Sequence, residues 1–147
     1  MSGATITLEA ADDGTLAYVE SLLEESGLPS ADVRSKPGCF YVAYDGDKAV
    51  GIGGIERRGA AGLLRSVAVE RSARGEGLGT ALCEQLEAVA RDEDVEVLYL
   101  LTTTASGFFV DRGYVEIERR EAPVAIRGTT EFADLCPETA VCMRKPL

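Results

Sequence analysis

Val67-Ala68-Val69, then Arg74-Gly75-Glu76-Gly77-Leu78-Gly79-Thr80, then Ala81, Leu82, Leu86 and Val89: an apolar run, a glycine-rich turn and a helical pattern, in that order, decide the fold. Leu78, Ala81, Leu82, Leu86 and Val89 fall on the i, i+3, i+4 rows of one helical face, with Glu84, Gln85 and Glu87 expected towards water. A glycine-rich turn at a helix start lets the backbone approach an anion, and the free amides of the first turn, with the helix dipole, supply donors and partial positive charge. The implied ligand is a pyrophosphate. No Gly-Lys-Ser/Thr closes the turn, so it is not a P-loop. The run before it belongs to an antiparallel hairpin, where a dinucleotide fold demands a parallel βαβ unit. The plainer alternative is that Gly75, Gly77 and Gly79 form only a turn and a close helix–sheet contact.

Working outward, Thr5 to Glu9 alternates as a half-buried strand, and Asp12-Asp13-Gly14 offers a cap for an amphipathic helix over Leu16 to Glu25. Gly27 to Pro37 reads as a connecting segment bordering a cleft. Phe40 to Tyr44, Ala49 to Ile55 and Leu63 to Val69 read as an antiparallel meander, with Asp45-Gly46-Asp47-Lys48 and Arg58-Gly59-Ala60-Ala61-Gly62 as its turns. After Arg91-Asp92-Glu93-Asp94, Val95 to Leu101 is apolar enough for a strand covered on both faces. A short helix over Ala105 to Asp111, a strand over Tyr114 to Ile117, an irregular stretch from Arg119 to Pro137 and a last strand over Ala140 to Met143 complete the pattern. With 147 residues, no repeat and no linker, one domain over 1–147 is expected.

The composition excludes several chemistries. There is no His, so neither a Ser-His-Asp nor a Cys-His pair exists and no zinc site is built from imidazoles; no metal is expected. Twenty-five acidic against 15 basic residues give a net charge of −10, which repels nucleic acid and anionic membranes, and no basic patch offsets it. Only Lys36, Lys48 and Lys145 are lysines, an Arg-heavy, acid-rich composition suited to a cytoplasm of high ionic strength, as in halophiles. Cys39, Cys83, Cys136 and Cys142 show no CxxC spacing and read as reduced cytosolic thiols, with a soft-metal or arsenic site or a disulfide as alternatives. A soluble cytoplasmic protein is expected, since Met1 to Leu8 lacks the pattern of a secretory leader and no apolar run reaches membrane-spanning length.

Arg74, Gly77 and Gly79 resemble the acyl-CoA-binding signature of the GNAT N-acetyltransferase superfamily, and Ser66 to Val69 resembles the end of its fourth strand. Ala105, Phe108, Phe109, Gly113 and Tyr114 resemble its later helix and closing Gly-aromatic pair. More narrowly, Leu63 to Val69, Leu98 to Ala105 and the stretch from Ala122 through Pro137 to Met143 resemble the small GNAT proteins of arsenic-resistance operons, related to N-acetylglutamate synthase-like domains. The resemblance implies an α/β (α+β) fold with a mixed central sheet of about seven strands and helices on both faces. It implies an acetyl-CoA-dependent N-acetyltransferase acting by direct transfer on a small, amino-acid-like amine; the alternative is a non-catalytic acyl-CoA or metalloid sensor. A homodimer is possible through exposed edges in the late irregular segment.

The same resemblance places roles. Main-chain groups of Val67, Ala68 and Val69 pair with the pantetheine arm, and Arg74, Gly75, Glu76, Gly77, Leu78, Gly79 and Thr80 hold the pyrophosphate. A β-bulge near Val67 and a splay between the fourth and fifth strands are implied, with a backbone amide polarising the thioester carbonyl. Leu63 stands where many members have a basic Glu, Phe109 where many have an acidic Tyr, and Thr102 where an Asn is common. Either bound water and substitutes such as Glu56 or Tyr114 make the proton transfers, or the acceptor amine arrives neutral, or turnover is slow, with Glu56 reading otherwise as an exposed strand-end residue. Period-two alternation sets Leu63, Arg65, Val67 and Val69 on one face, so Arg65 is expected to bind an anionic acceptor or else to pair with Glu56 or another carboxylate. Arg127 is a second acceptor candidate. Cys136 and Cys142 could approach each other, with metalloid capture as the chemistry this would allow.

Overall fold

The computed structural model describes residues 6–28, 30–73, 77–103, 105–129, 132 and 139–147. In chain order these form β1 (Thr7–Ala10), α1 (Leu16–Glu25), β2 (Phe40–Asp45), β3 (Lys48–Arg58), β4 (Ala61–Val69), α2 (Leu78–Asp92), β5 (Val97–Thr102), α3 (Ser106–Asp111), β6 (Val115–Ile117), α4 (Val124–Arg127) and β7 (Val141–Pro146). Helix α1 starts where Asp12 Oδ1 accepts from the Thr15 N–H at 3.0 Å, and it buries the stripe Leu16, Val19, Leu22 and Leu23. The β2–β3 hairpin turns on Gly46 at φ 65°, the left-handed backbone that an Asp-Gly pair supplies at little cost. The 27–37 segment holds the 3-10 turn Val33–Ser35, and a second, Pro37–Cys39, leads into β2.

The strands make one mixed seven-stranded sheet in the order β1-β2-β3-β4-β5-β7-β6, with helices on both faces, the architecture expected from the sequence. Only β4 and β5 run parallel; every other neighbouring pair is antiparallel. Leu64, Leu98, Leu100 and Met143 meet Leu78, Leu82 and Leu86 of α2 and Phe109 of α3 on one face. Their strand neighbours point the other way. Phe40, Val42, Ile52 and Ala68 pack under α1, while Leu63, Tyr99 and Cys142 pack under Ile126 of α4.

Several boundaries differ from the sequence expectation. Strand β1 runs to Ala10, β3 continues to Arg58, and β7 extends to Pro146 because it pairs with β5 along its whole length. Val95 is buried but precedes β5, with Asp94 turning at φ 66° just before it. Glu87, expected towards water, is buried on α2: its carboxylate takes Lys145 Nζ at 2.9 Å and the Tyr114 hydroxyl at 3.1 Å.

Two irregularities interrupt the sheet, one on each side of β4. Gly54 registers with Arg65 and Ile52 with Ala68, so Ser66 and Val67 together face the single residue Gly53, a β-bulge on β4. Ser66 sits there at φ 61°. On the other side of β4, the parallel register with β5 covers Ala61–Val97, Gly62–Leu98 and Leu63–Tyr99 and stops. From Leu64 onward the two strands part, although β4 continues to Val69 and β5 to Thr102.

Candidate active site

The bulge corrects the expected side-chain alternation. Leu63 packs in the α4 cluster and Arg65 lies over the Phe40 ring at 5.3 Å, beneath α1, whereas Val67 and Val69 pack with the α2 cluster on the opposite face. One extra residue reverses the parity of everything after it. Arg65 therefore does not share a face with Val67 and Val69.

Arg65 is fully enclosed, its side chain 0% exposed. Its guanidinium donates to both carboxylate oxygens of Asp32 (2.5 and 2.8 Å), to Glu56 Oε2 (2.9 Å) and, through Nε, to Ser66 Oγ (3.0 Å). Glu56, 2% exposed, is buried instead of lying at an open strand end, and it also takes Lys36 Nζ at 3.4 Å and Arg58 Nη2 at 3.3 Å. Lys36 completes the cluster through Asp32 Oδ2 at 3.1 Å. Burial pushes the Asp32 carboxyl up, but Arg65 and then Lys36 outweigh it and hold the group below the usual carboxylate range. The Arg65–Glu56 pair follows from strand register; Asp32 comes from the connecting segment, and no spacing signal predicted its arrival.

On the far side of the gap, Thr102 ends β5 and accepts a hydrogen bond from the Ala105 N–H at 3.0 Å, setting the start of α3. Phe109 stands edge-to-face with Phe108 at 5.1 Å and with Tyr114 at 5.4 Å. Tyr114 is buried and its hydroxyl donates to Glu87; burial, then the Glu87 charge, push its pKa well up. Arg127 ends α4 with Nε donating to the Ala122 carbonyl at 3.0 Å. Glu56 and Tyr114 thus lie in separate ionic clusters, one beneath α1 and one beneath α2.

Helix α2 begins after Gly77, which caps it at φ 78°. Among the described residues, a Cβ at Gly77 would meet nothing within 4 Å. The first amides of a helix have no partner within it, and they suit an anion. Arg74, Gly75 and Glu76, expected in the same cradle, lie outside the described residues. A cation that sequence reading missed stands beside Thr80: Arg112 Nη1 donates to Thr80 Oγ1 at 2.7 Å, with the guanidinium 5.2 Å over the Phe108 ring. The i, i+4 spacing of Phe108 and Arg112 hinted at the stacking but not at the reach to α2. The parting of β4 from β5 leaves room for an extended chain, and the start of α2 suits a diphosphate, the two parts an acyl-CoA offers.

Cys142 is buried and burial pushes its thiol up to about 11, while burial and then the Glu87 charge push Cys83 up to about 12. Cys136, and with it the expected approach to Cys142, lies outside the described residues. Among the described residues no helix is long and apolar enough to cross a membrane.

Residues 36–116 match the acetyltransferase (GNAT) domain family. An uncharacterized N-acetyltransferase of Chlorobaculum tepidum is 40% identical over 80 residues, covering 54% of this chain and 48% of that protein. The amino-acid acetyltransferase of Mycobacterium tuberculosis is 36% identical over 109 residues, covering 65% of this chain and 62% of that protein. The chain thus spans between 48% and 62% of these curated relatives. Among solved structures, the N-acetylglutamate synthase of Neisseria gonorrhoeae complexed with coenzyme A and N-acetyl-glutamate superposes with a TM-score of 0.83 at 19% identity, over 99% of this chain and 36% of that one. A Mycobacterium tuberculosis protein solved with CoA superposes at 0.79 with 24% identity, over 96% and 99% of the two chains. At these identities the structural likeness is one of fold.

Proposed function

Because the chain belongs to the GNAT acetyltransferase family, we propose that it transfers an acetyl group from acetyl-CoA to the amine of a small, amino-acid-like acceptor. The observation that carries this reading is the parting of β4 from β5 after Leu63 and Tyr99, directly beside the bulge at Ser66 and Val67. Bound acetyl-CoA supplies the activated acetyl group. The main chain of Val67, Ala68 and Val69 then serves as the edge along which the pantetheine arm lies, and the first turn of α2 from Gly77 to Thr80 faces the diphosphate. On this reading an N–H at the bulge polarises the thioester carbonyl, the role that fixed donors play where charge develops.

Transfer by this route asks for no protein nucleophile, in keeping with a chain that has no His. Glu56 is held by three cations and Tyr114 by Glu87, so the reading assigns the amine's deprotonation to solvent. The acceptor class rests on the amino-acid acetyltransferase among the relatives. Arsenical amino-acid analogues join the candidates on the narrower sequence likeness. Incubation with acetyl-CoA and a panel of amino acids and these analogues, with free thiol as readout, tests the reading: at least one acceptor should release CoA. The rate should rise with pH along the ionisation of the acceptor's own amine.

A second reading, a non-catalytic acyl-CoA sensor, is favoured by one specific feature, the apolar Leu63 and Phe109 at the positions expected to hold a base and an acid. Acetyl-CoA binding without thiol release for any amine would decide for the sensor. Absence of binding would remove both readings.

A further inference from the structure

We propose that Arg65 is a positioning residue that clamps the β4 bulge into its strained shape and so sets the geometry of acetyl transfer. This role rests on the acetyl-transfer reading and deepens it.

Ser66 is a backbone outlier. It adopts φ 61°, a left-handed conformation that costs a non-glycine residue stability and persists only where surroundings enforce it. A glycine would relieve that cost at once. Here a serine stands instead, and its hydroxyl is the acceptor for Arg65 Nε at 3.0 Å. The left-handed residue brings consecutive side chains together, where regular pleating would send them to opposite faces.

Arg65 is in turn fixed at its other end. Both terminal nitrogens bond Asp32, one of them also bonds Glu56, and the guanidinium lies over the Phe40 ring. The planar fork matches the Asp32 carboxylate two bonds at a time, which a lysine ammonium cannot do. Asp32 belongs to the segment before β2, Glu56 to β3 and Ser66 to β4. One guanidinium thus ties two other stretches of chain to the residue whose φ opens the bulge. That bulge lies just beyond the last β4–β5 pair, where the acyl arm enters under the proposed function. A misplacement of about 1 Å at such a point costs about a hundredfold in rate.

The test uses Arg65→Lys, which keeps the charge but loses the fork, and the double variant Arg65→Lys/Ser66→Gly, in which the left-handed backbone no longer needs enforcing. The proposal expects kcat to fall about tenfold or more in Arg65→Lys, with a smaller change in the KM for acetyl-CoA, and to recover at least in part in the double variant. Should Arg65→Lys fail to fold, Ser66→Ala, which deletes only the acceptor hydroxyl, replaces it; kcat, measured well below the variant's melting temperature, is expected to fall. Wild-type kcat in a folded Arg65→Lys or in Ser66→Ala, or no recovery on adding Ser66→Gly, would overturn the proposal and leave Arg65 a mere fold-stabilising ion pair. If the wild type itself releases no thiol, the acetyl-transfer reading fails instead. Amide exchange at Val67 and Ala68 then judges the clamp alone, with faster exchange expected in Arg65→Lys and unchanged exchange counting against it.

Discussion

Asp32 sits within bonding distance of two cations, and its ionised form is the one the folded protein needs. A carboxyl held below its unfolded value near 3.9 contributes stability that is fully present above that pH and is lost as pH falls through the folded value. Acid unfolding should therefore steepen below about pH 4, and Asp32→Asn should flatten that limb while lowering stability at neutral pH. Urea denaturation at a series of pH values checks both, and a limb unchanged by the substitution would remove Asp32 as its source. Deleting the other partner is harsher: Arg65→Met leaves two buried carboxylates facing too little positive charge, a loss of about 3–5 kcal/mol. At this scale the sequence was informative only in part. Arg65 on an apolar strand demanded a carboxylate, and Glu56 could be named for it. Glu87 could not be recognised as buried, because its partner Lys145 lies 58 residues away and helical periodicity alone assigns a glutamate to water.

Among the elements, α2 and α3 meet through Thr80, Phe108 and Arg112, and this contact predicts a division of labour along the cosubstrate. Arg112 stands one hydrogen bond from Thr80 in the first turn of α2, where charge-assisted bonds to phosphate are worth about twice a neutral one. Arg112→Ala should weaken acetyl-CoA binding about tenfold and leave S-acetylpantetheine, which has no phosphate, unaffected. Calorimetry with the two ligands separates this from a packing effect, which would weaken both alike. The elements themselves were legible because each carries its own period. Leu16 to Glu25 was correctly bounded at both ends, and the glycine-punctuated meander gave β2, β3 and β4 in order. What period cannot show is its own interruption. Nothing in Leu63 to Val69 marks Ser66 as the place where alternation reverses, so the strand reads as regular and Arg65 is assigned to the wrong company.

For the whole molecule, a net charge of −10 acts on every part of the fold at once. Raising KCl from about 0.1 to about 1 M shortens the screening length from about 10 to about 3 Å, which relieves repulsion between exposed carboxylates and hardly reaches the enclosed Arg65 cluster. The melting temperature should climb by about 2–4 °C for each kcal/mol of repulsion removed. A flat or falling salt profile would show that self-repulsion contributes little.

The early parting of β4 from β5 has a further consequence for how the protein behaves in solution. Three rungs hold the β1–β4 meander to the β5–β7 group within the sheet, so under the proposed function a ligand threaded between them would act as mortar in a seam. Saturation should then do more than report affinity: it should slow amide exchange on both banks of the seam together. If the proposed function holds, the protein should be stiffest when loaded and loosen again once the emptied carrier slips out.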